Sequence, residues 1–178
     1  GGILEGVLDP KMAQFLLALF AFGVGKAALM PIHRWLPAAM VAPTPVSALL
    51  HAVAVVKAGV FTILTVVVYV FGIDFLSSSG ASLWLVWLAS FTILASSFVA
   101  ITKDDIKARL AYSTISQLSY ILLGAAIATS VAAQGAALHI VMHAAGKITL
   151  FFCAGAIYVQ AHLTKVSELD GQGREMPW

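Results

Sequence analysis

Charged residues are scarce in this sequence. Asp, Glu, Lys and Arg together make up 10% of the 178 residues, whereas ordinary globular domains carry about 25%. Hydrophobic residues reach 61%, and the mean hydropathy is +0.97. This composition excludes an ordinary soluble domain. It indicates an integral membrane protein, which is embedded in the lipid bilayer.

Other absences exclude whole classes of function. The one cysteine, Cys153, lies in an apolar run, so neither a disulfide framework nor a cysteine metal site is expected. A basic, aromatic-interleaved patch, a Gly-x-Ser-x-Gly turn and flavin, iron–sulfur or quinone motifs are all missing. We therefore expect no nucleic acid, no hydrolase chemistry, no cofactor and no redox chemistry in this chain itself; whether it forms part of an enzyme stays open. The first residues lack an initiator Met and a basic n-region, which indicates no cleavable signal and a piece of a longer protein.

The apolar segments predict an all-α membrane protein with five transmembrane helices, the first broken near Met30-Pro31. Two prolines, Pro31 and Pro37, with polar residues between them are incompatible with a regular helix. Broken backbone at membrane depth must face protein or a water-filled cavity. The predicted segments are 1–12 (exterior), 13–41 (broken helix), 45–71, 83–101, 105–128 and 133–160 (helices), and 161–178 (cytoplasmic tail).

Positive charge is unequally divided between the two predicted sides. The loop after the third helix and the tail hold most of it, and basic loops face the cytoplasm. We therefore expect residues 102–109 and 161–178 to be cytoplasmic, in a cell (inner) membrane, with the N-terminal segment outside. The basic residues on that side are Lys103, Lys107, Arg109, Lys165 and Arg174.

His139, His143 and Lys147 follow each other at intervals of four residues inside an apolar run. Each such step turns about 40° beyond a full helical turn and rises about 6 Å, so the three side chains form one stripe. An ionised group at the bilayer centre costs roughly 2.5–3.5 kcal/mol, and such groups usually mark ion or proton paths. Burial favours neutral lysine, and histidine titrates near neutral pH, so the stripe predicts a proton relay.

Further residues extend the predicted relay. Lys26, before the helix break, and His51, on the second helix, are candidate members. Lys57 is given an accessory role, because it lies six residues from His51 and therefore on another face; it could instead snorkel to an interface. The polar first half of the fourth helix is interpreted as a wet lining, although interhelical hydrogen bonding would also explain it. Its accessory candidates are Ser113, Ser116 and Gln117.

The pair His139 and His143 also has the i, i+4 spacing of a helical metal site. However, the Glu of His-Glu-x-x-His is absent, and no Asp or Glu at membrane depth joins the two histidines. We predict no metal site. A transition-metal-binding membrane protein acting through these two histidines is the rival hypothesis from another class.

Four blocks of sequence are distinctive. They are residues 25–37 (GKAALMPIHRWLP), 42–52 (APTPVSALLHA), 105–120 (DIKARLAYSTISQLSY) and 139–152 (HIVMHAAGKITLFF). These blocks resemble the antiporter-like proton-translocating membrane subunits, and they follow in family order along nearly the whole chain. That family covers the large membrane-arm subunits of respiratory complex I and of multisubunit (Mrp-type) cation/proton antiporters.

The resemblance implies a larger bundle of two inverted repeats, each with a broken helix. It implies that Lys26 is the lysine of the first broken helix, that Lys147 is the central lysine, and that His51, His139 and His143 connect them. Partner residues upstream and downstream would lie outside this sequence, so the piece alone should transport nothing. Other membrane subunits, protons and Na⁺ are the implied partners.

Two departures from the family pattern affect the functional choice. Gly146 stands where many members carry a bulky aromatic residue before the central lysine. Lys57 replaces a small or apolar residue of many complex I relatives, whereas antiporter-type relatives more often have Val-Lys-Ala-Gly. We therefore expect a proton-conducting subunit of a Na⁺/H⁺ antiporter, with a proton-pumping subunit of NADH-quinone oxidoreductase (complex I) as the alternative.

Overall fold

The computed structural model describes residues 2–52 and 54–175, and side chains for all of these except 51, 52 and 175. Within those residues there is no β-sheet, only an isolated antiparallel bridge between Asp105 and Lys165. The all-α prediction is confirmed. The helices are α1 (Pro10–Gly23), α2 (Trp35–Ala38), α3 (Thr44–Ala52), α4 (Val55–Thr65), α5 (Ile73–Ser79), α6 (Leu83–Thr102), α7 (Ile106–Ala126), α8 (Ser130–Ala161) and α9 (Gln172–Glu175).

The first apolar segment is broken, as predicted, but the break begins earlier than the prolines. Helix α1 ends at Gly23, and a single 3₁₀ turn, Gly25–Ala27, follows it. Ala28 then adopts a left-handed conformation with φ 55°. The indole Nε1 of Trp35 donates to the Gly25 carbonyl at 3.1 Å, which ties α2 back to this turn. We call Gly25–Ala27 the broken segment.

The second apolar stretch continues beyond its predicted end. After α4 the chain forms a π-helical segment, Val66–Gly72, and then α5, where the sequence predicted a loop over residues 72–82. The amides of Ile3 and Leu4 donate to the carbonyls of Tyr69 and Val70 at 2.9 Å each. The N-terminal segment therefore supplies hydrogen-bond donors to carbonyls of the π-helical turn.

Helices α6, α7 and α8 follow each other as antiparallel neighbours. Helix α7 begins where the Asp105 side chain accepts from the amide of Ala108 at 2.7 Å, a regular N-cap. The Thr129 hydroxyl caps α8 in the same way, accepting from Ala132 at 3.3 Å. The α7–α8 hairpin places the polar first half of α7 against the middle of α8.

The chain after α8 returns to the loop between α6 and α7. The amide of Ile106 donates to Thr164 at 2.9 Å, and the amide of Val166 donates to Asp104 at 2.8 Å. Ser167 adds its hydroxyl, which donates to an Asp104 carboxylate oxygen at 2.7 Å. These bonds fix the tail beside the start of α7, and we call them the loop–tail clamp.

Three helical stretches in the described part of the chain are long and apolar enough to cross a membrane: Thr44–Ser79, Leu83–Thr102 and Ser130–Ala161. Helix α1 is apolar but shorter. Helix α7 has 21 residues, but its polar face lowers its hydropathy. At 32 residues, α8 extends about 48 Å, longer than a hydrocarbon core of about 30 Å. The count of five transmembrane helices stays a prediction.

Candidate functional site

Helix α8 carries the predicted stripe into the space between α4 and α7. His143 and Lys147 expose only 8% and 3% of their surfaces, and His139 is half-buried. The rest of α8 presents apolar side chains outward, including Leu138 and Met142. The ionisable residues therefore occupy the face of this helix that meets other helices, as polar groups in a membrane require.

Lys57 meets this stripe from α4. Its Nζ forms a buried hydrogen bond with Nδ1 of His143, and Lys57 itself is 7% exposed. When Lys57 is an ammonium, which can only donate, Nδ1 accepts and a neutral His143 ring carries its hydrogen on Nε2. Lys57, predicted to be accessory, lies in direct contact with the stripe.

Lys147 is held by α7. Its Nζ donates to the backbone carbonyl of Leu110 at 3.0 Å. The hydroxyl of Thr114 donates to the same carbonyl at 2.9 Å. A carbonyl that already belongs to a helix thus receives two side-chain donors. The contact between Lys147 and the Leu110 carbonyl was not predicted. Its only local signal in the sequence is Thr114, four residues after Leu110.

His139 is positioned by the second turn of the polar face of α7. Its Nε2 lies 2.9 Å from Oε1 of Gln117, and an amide oxygen can only accept, so Nε2 is the protonated nitrogen. The ring of Tyr120 lies edge-on at 6.3 Å. The His139 and His143 rings are parallel within 8°, with 6.0 Å between centroids. The stripe is therefore a stacked histidine pair followed by a lysine.

Of the two remaining accessory candidates, Ser116 makes its described contacts away from the relay. Ser116 is buried toward α6, where its hydroxyl lies 2.9 Å from that of Ser97, so it joins two helices. Ser113 is half-buried on α7 between Leu110 and Gln117. The polar face of α7 thus combines interhelical bonding on the α6 side with relay contacts on the α8 side.

One predicted relay residue is not brought to this cluster. Lys26 lies in the broken segment with its side chain exposed. His51 belongs to α3, but its side chain lies outside the described residues. Lys57, His143 and Lys147 consequently form the described centre, which we call the lysine–histidine cluster.

Positive charge in the cluster has no acidic counterpart on the same helices. All eight Asp and Glu residues lie outside the sequence of α4, α7 and α8. Among the residues that the structure describes, no group of three His, Cys, Asp or Glu side chains could hold a metal. His139 and His143 instead use one ring nitrogen each on Gln117 and Lys57.

The fold and the cluster define a class: a helical membrane protein with ionisable side chains buried between its helices. The family described as NADH:quinone oxidoreductase/Mrp antiporter, transmembrane region, matches residues 6–177, and the chain belongs to that family. This confirms the resemblance inferred from the sequence blocks.

Known relatives align with nearly the whole chain. F(420)H(2) dehydrogenase subunit L of Methanosarcina mazei is 37% identical over 164 residues, covering 90% of this chain and 24% of the relative. In Rhizobium meliloti, one component of a probable K(+)/H(+) antiporter is 38% identical over 169 residues, covering 94% and 16%. A chain of the Mrp complex from Dietzia sp. superimposes with a TM-score of 0.83 at 36% identity, covering 95% and 18%. The chain thus spans less than a quarter of each.

Proposed function

We propose that this chain is the proton-conducting core of one subunit in a multisubunit Na⁺/H⁺ antiporter, and that protons pass through the lysine–histidine cluster. The observation that carries the proposal is the buried hydrogen bond from Lys57 to His143. A lysine ammonium and a neutral imidazole joined in this way share one proton. Transfer along the bond leaves a neutral amine on Lys57 and an imidazolium on His143.

Lys147 supplies the second proton-holding group of the cluster. It lies one helical turn beyond His143 on α8, and the charge of Lys57 acts on it. Two positive charges in a low-dielectric region repel each other strongly. Loading one group therefore favours emptying the other, which is how a relay passes a proton onward instead of storing it.

His139 extends the path away from Lys147. Its ring is parallel to that of His143 at 6.0 Å, too far for a direct hydrogen bond, so the step between them needs a bridging water. His139 is half-buried, which suits a group that exchanges protons with water. Lys26 and His51 are proposed to lie further along the same route.

Support for an antiporter comes from the cluster and from two relatives. Lys57, which we associated with antiporter-type sequences, makes the central contact. The Rhizobium relative is named as part of a probable K(+)/H(+) antiporter, and the Dietzia chain belongs to an Mrp complex. The alternative, a redox-driven proton pump, is favoured by the likeness to the F(420)H(2) dehydrogenase chain.

The test uses the full-length protein assembled with its partner subunits in inverted membrane vesicles. Lys147→Ala and Lys57→Ala should each abolish cation-dependent proton movement, measured with a pH-sensitive dye, while the assembled complex remains. Lys11→Ala, which removes an exposed lysine at the start of α1, should transport normally. Normal transport by Lys147→Ala or Lys57→Ala would overturn that residue's place in the relay.

The same vesicles distinguish an antiporter from a redox-driven proton pump. A sodium pulse should move protons without any electron donor if the complex is an antiporter. Proton movement that requires a reduced electron donor, and that sodium alone does not produce, would instead identify the redox-driven pump.

A further inference from the structure

Gly59 is the point at which α4 touches the broken segment. A Cβ at this position would lie 2.6 Å from the Lys26 carbonyl carbon, 2.6 Å from the Ala27 nitrogen and 2.9 Å from the Lys26 oxygen. All three are backbone atoms, so no side chain can rotate away. Carbon atoms normally approach to about 3.5–4.0 Å. Any residue other than glycine would therefore displace one backbone from the other by about 1 Å.

The same turn of α4 carries Lys57. Residues two positions apart on a helix point about 200° from each other, so Lys57 and Gly59 lie on opposite sides of α4. Lys57 faces α8, where it contacts His143, and Gly59 faces Lys26. Helix α4 therefore lies between the broken segment and the lysine–histidine cluster and touches both.

Glycine is a poor choice for a helix interior unless close approach requires it. Gly59 lies in the middle of α4 and is buried. Its neighbours Val56 and Val60 are fully buried, so the surrounding helix is tightly packed already. The backbone contact with Lys26 gives a physical reason for glycine at this position.

We propose that Gly59 is a positioning residue of the relay: by backbone contact it fixes the distance from Lys26 to the Lys57–His143 pair. This inference rests on the proposed function, because only a relay makes that distance important. Lys57 lies on the opposite side of α4 from Gly59, and the turn after the broken segment carries His33 and Arg34. A shift of the broken segment against α4 therefore changes the distance from Lys26 to Lys57.

The experiment compares Gly59→Ala with Gly135→Ala in the full-length complex. Gly135 is a matched control, because a Cβ there meets nothing within 4 Å and it also lies inside a helix. A transport-independent readout comes from Ile32→Cys with Val55→Cys in a Cys153→Ser background. Both positions line one cavity of about 390 Å³ beside Lys26, so a short thiol cross-linker can join them.

Gly59→Ala should reduce the cross-linking yield and slow proton movement by about tenfold or more, since misplacement by about 1 Å can cost up to a hundredfold. It should also shift the pH of half-maximal transport, which a simple loss of folded protein does not do. Gly135→Ala should leave all three readouts unchanged.

Two results would overturn the inference. Unchanged cross-linking in Gly59→Ala would show that the close approach is not needed. Reduced cross-linking with an unchanged pH profile and rate would show that the contact is packing alone. Neither result touches the relay itself, which stands or falls with the Lys57 and Lys147 variants.

Discussion

Gln117 is the residue that sets which nitrogen of His139 carries the proton. Its Oε1 accepts from Nε2 at 2.9 Å, which leaves Nδ1 as the acceptor for an incoming proton. Gln117→Leu removes that acceptor and leaves a half-buried N–H unpaired, at a cost of about 1–3 kcal/mol. We expect a lower thermal unfolding temperature and slower proton movement, measured on the same purified complex.

Two variants control for the change. Gln117→Glu keeps an accepting oxygen and should retain the ring orientation, so its transport should stay closer to that of the natural protein. Gln134→Leu makes the same substitution at an exposed position of α8 and should be neutral. Equal behaviour of Gln117→Leu and Gln134→Leu would show that Gln117 does not orient His139.

The position of a residue was predictable where it depends only on spacing within one helix. The spacing of His139, His143 and Lys147 alone placed them on one face of α8. Lys57 could not be placed in this way, because its partner lies 86 residues away in the chain. Which face of α4 meets α8 depends on how the helix is rotated in the packed bundle. The six-residue spacing between His51 and Lys57 carries no information about that rotation.

At the scale of elements, some helix breaks follow from local sequence and others involve distant parts of the chain. Pro31 and Pro37 predicted a broken first helix, because proline acts on its own backbone. Just after the earlier end of α1 at Gly23, the Gly25 carbonyl accepts from the indole of Trp35, ten residues further along the chain. The π-helical turn likewise accepts hydrogen bonds from the amides of Ile3 and Leu4, more than 60 residues away. Partners of this kind carry no periodic signal in the sequence.

The loop–tail clamp is an element-scale feature with a defined pH dependence. The hydroxyl and the amide of Ser167 donate to Asp104 and hold the pKa of that exposed carboxyl below its usual range. The charged form therefore persists in the folded protein below the ordinary aspartate pKa of about 3.9. Its contribution to stability is fully present above that pH and is lost as pH falls through the lowered folded value.

Asp104→Ala should loosen the tail at neutral pH. Because the Ser167 amide loses its acceptor, we expect its hydrogen exchange to be roughly threefold faster or more. Asp170→Ala removes an acid of the same tail and serves as the control. In the natural protein, protection of the Ser167 amide should survive from neutral pH down through about 4, and it should be lost only at lower pH, where the Asp104 carboxylate takes up a proton. Protection lost already at about pH 5 would contradict the assigned role of Asp104.

At the scale of the whole molecule, the outer surface is apolar. Large side chains such as Trp87, Phe91 and Phe98 of α6 and Val141 of α8 are mostly exposed. A surface of this kind faces lipid or other protein.

Three contacts join regions that the predicted topology places on the same side of the membrane. The N-terminal segment bonds the carbonyls at Tyr69 and Val70, and the prediction places both of these regions outside. Lys107 donates to Ala42 at 3.2 Å, and the loop–tail clamp joins residues 104 and 167. Each of these two contacts joins regions predicted to be cytoplasmic. In the predicted topology the polypeptide crosses the membrane twice between the two partners of each contact.

Single-cysteine labelling tests this topology in a Cys153→Ser background. A membrane-impermeant thiol reagent should reach Val41→Cys and Ser167→Cys from the cytoplasmic side, and Val7→Cys and Ser77→Cys from the opposite side. All four natural side chains are exposed, so accessibility differs only by side. Labelling at Val41 is the most informative, because this residue follows the broken segment and reports whether the broken helix crosses the membrane. Labelling of Val7→Cys and Val41→Cys from the same side would show that the broken helix does not cross, and the predicted five crossings would then be wrong.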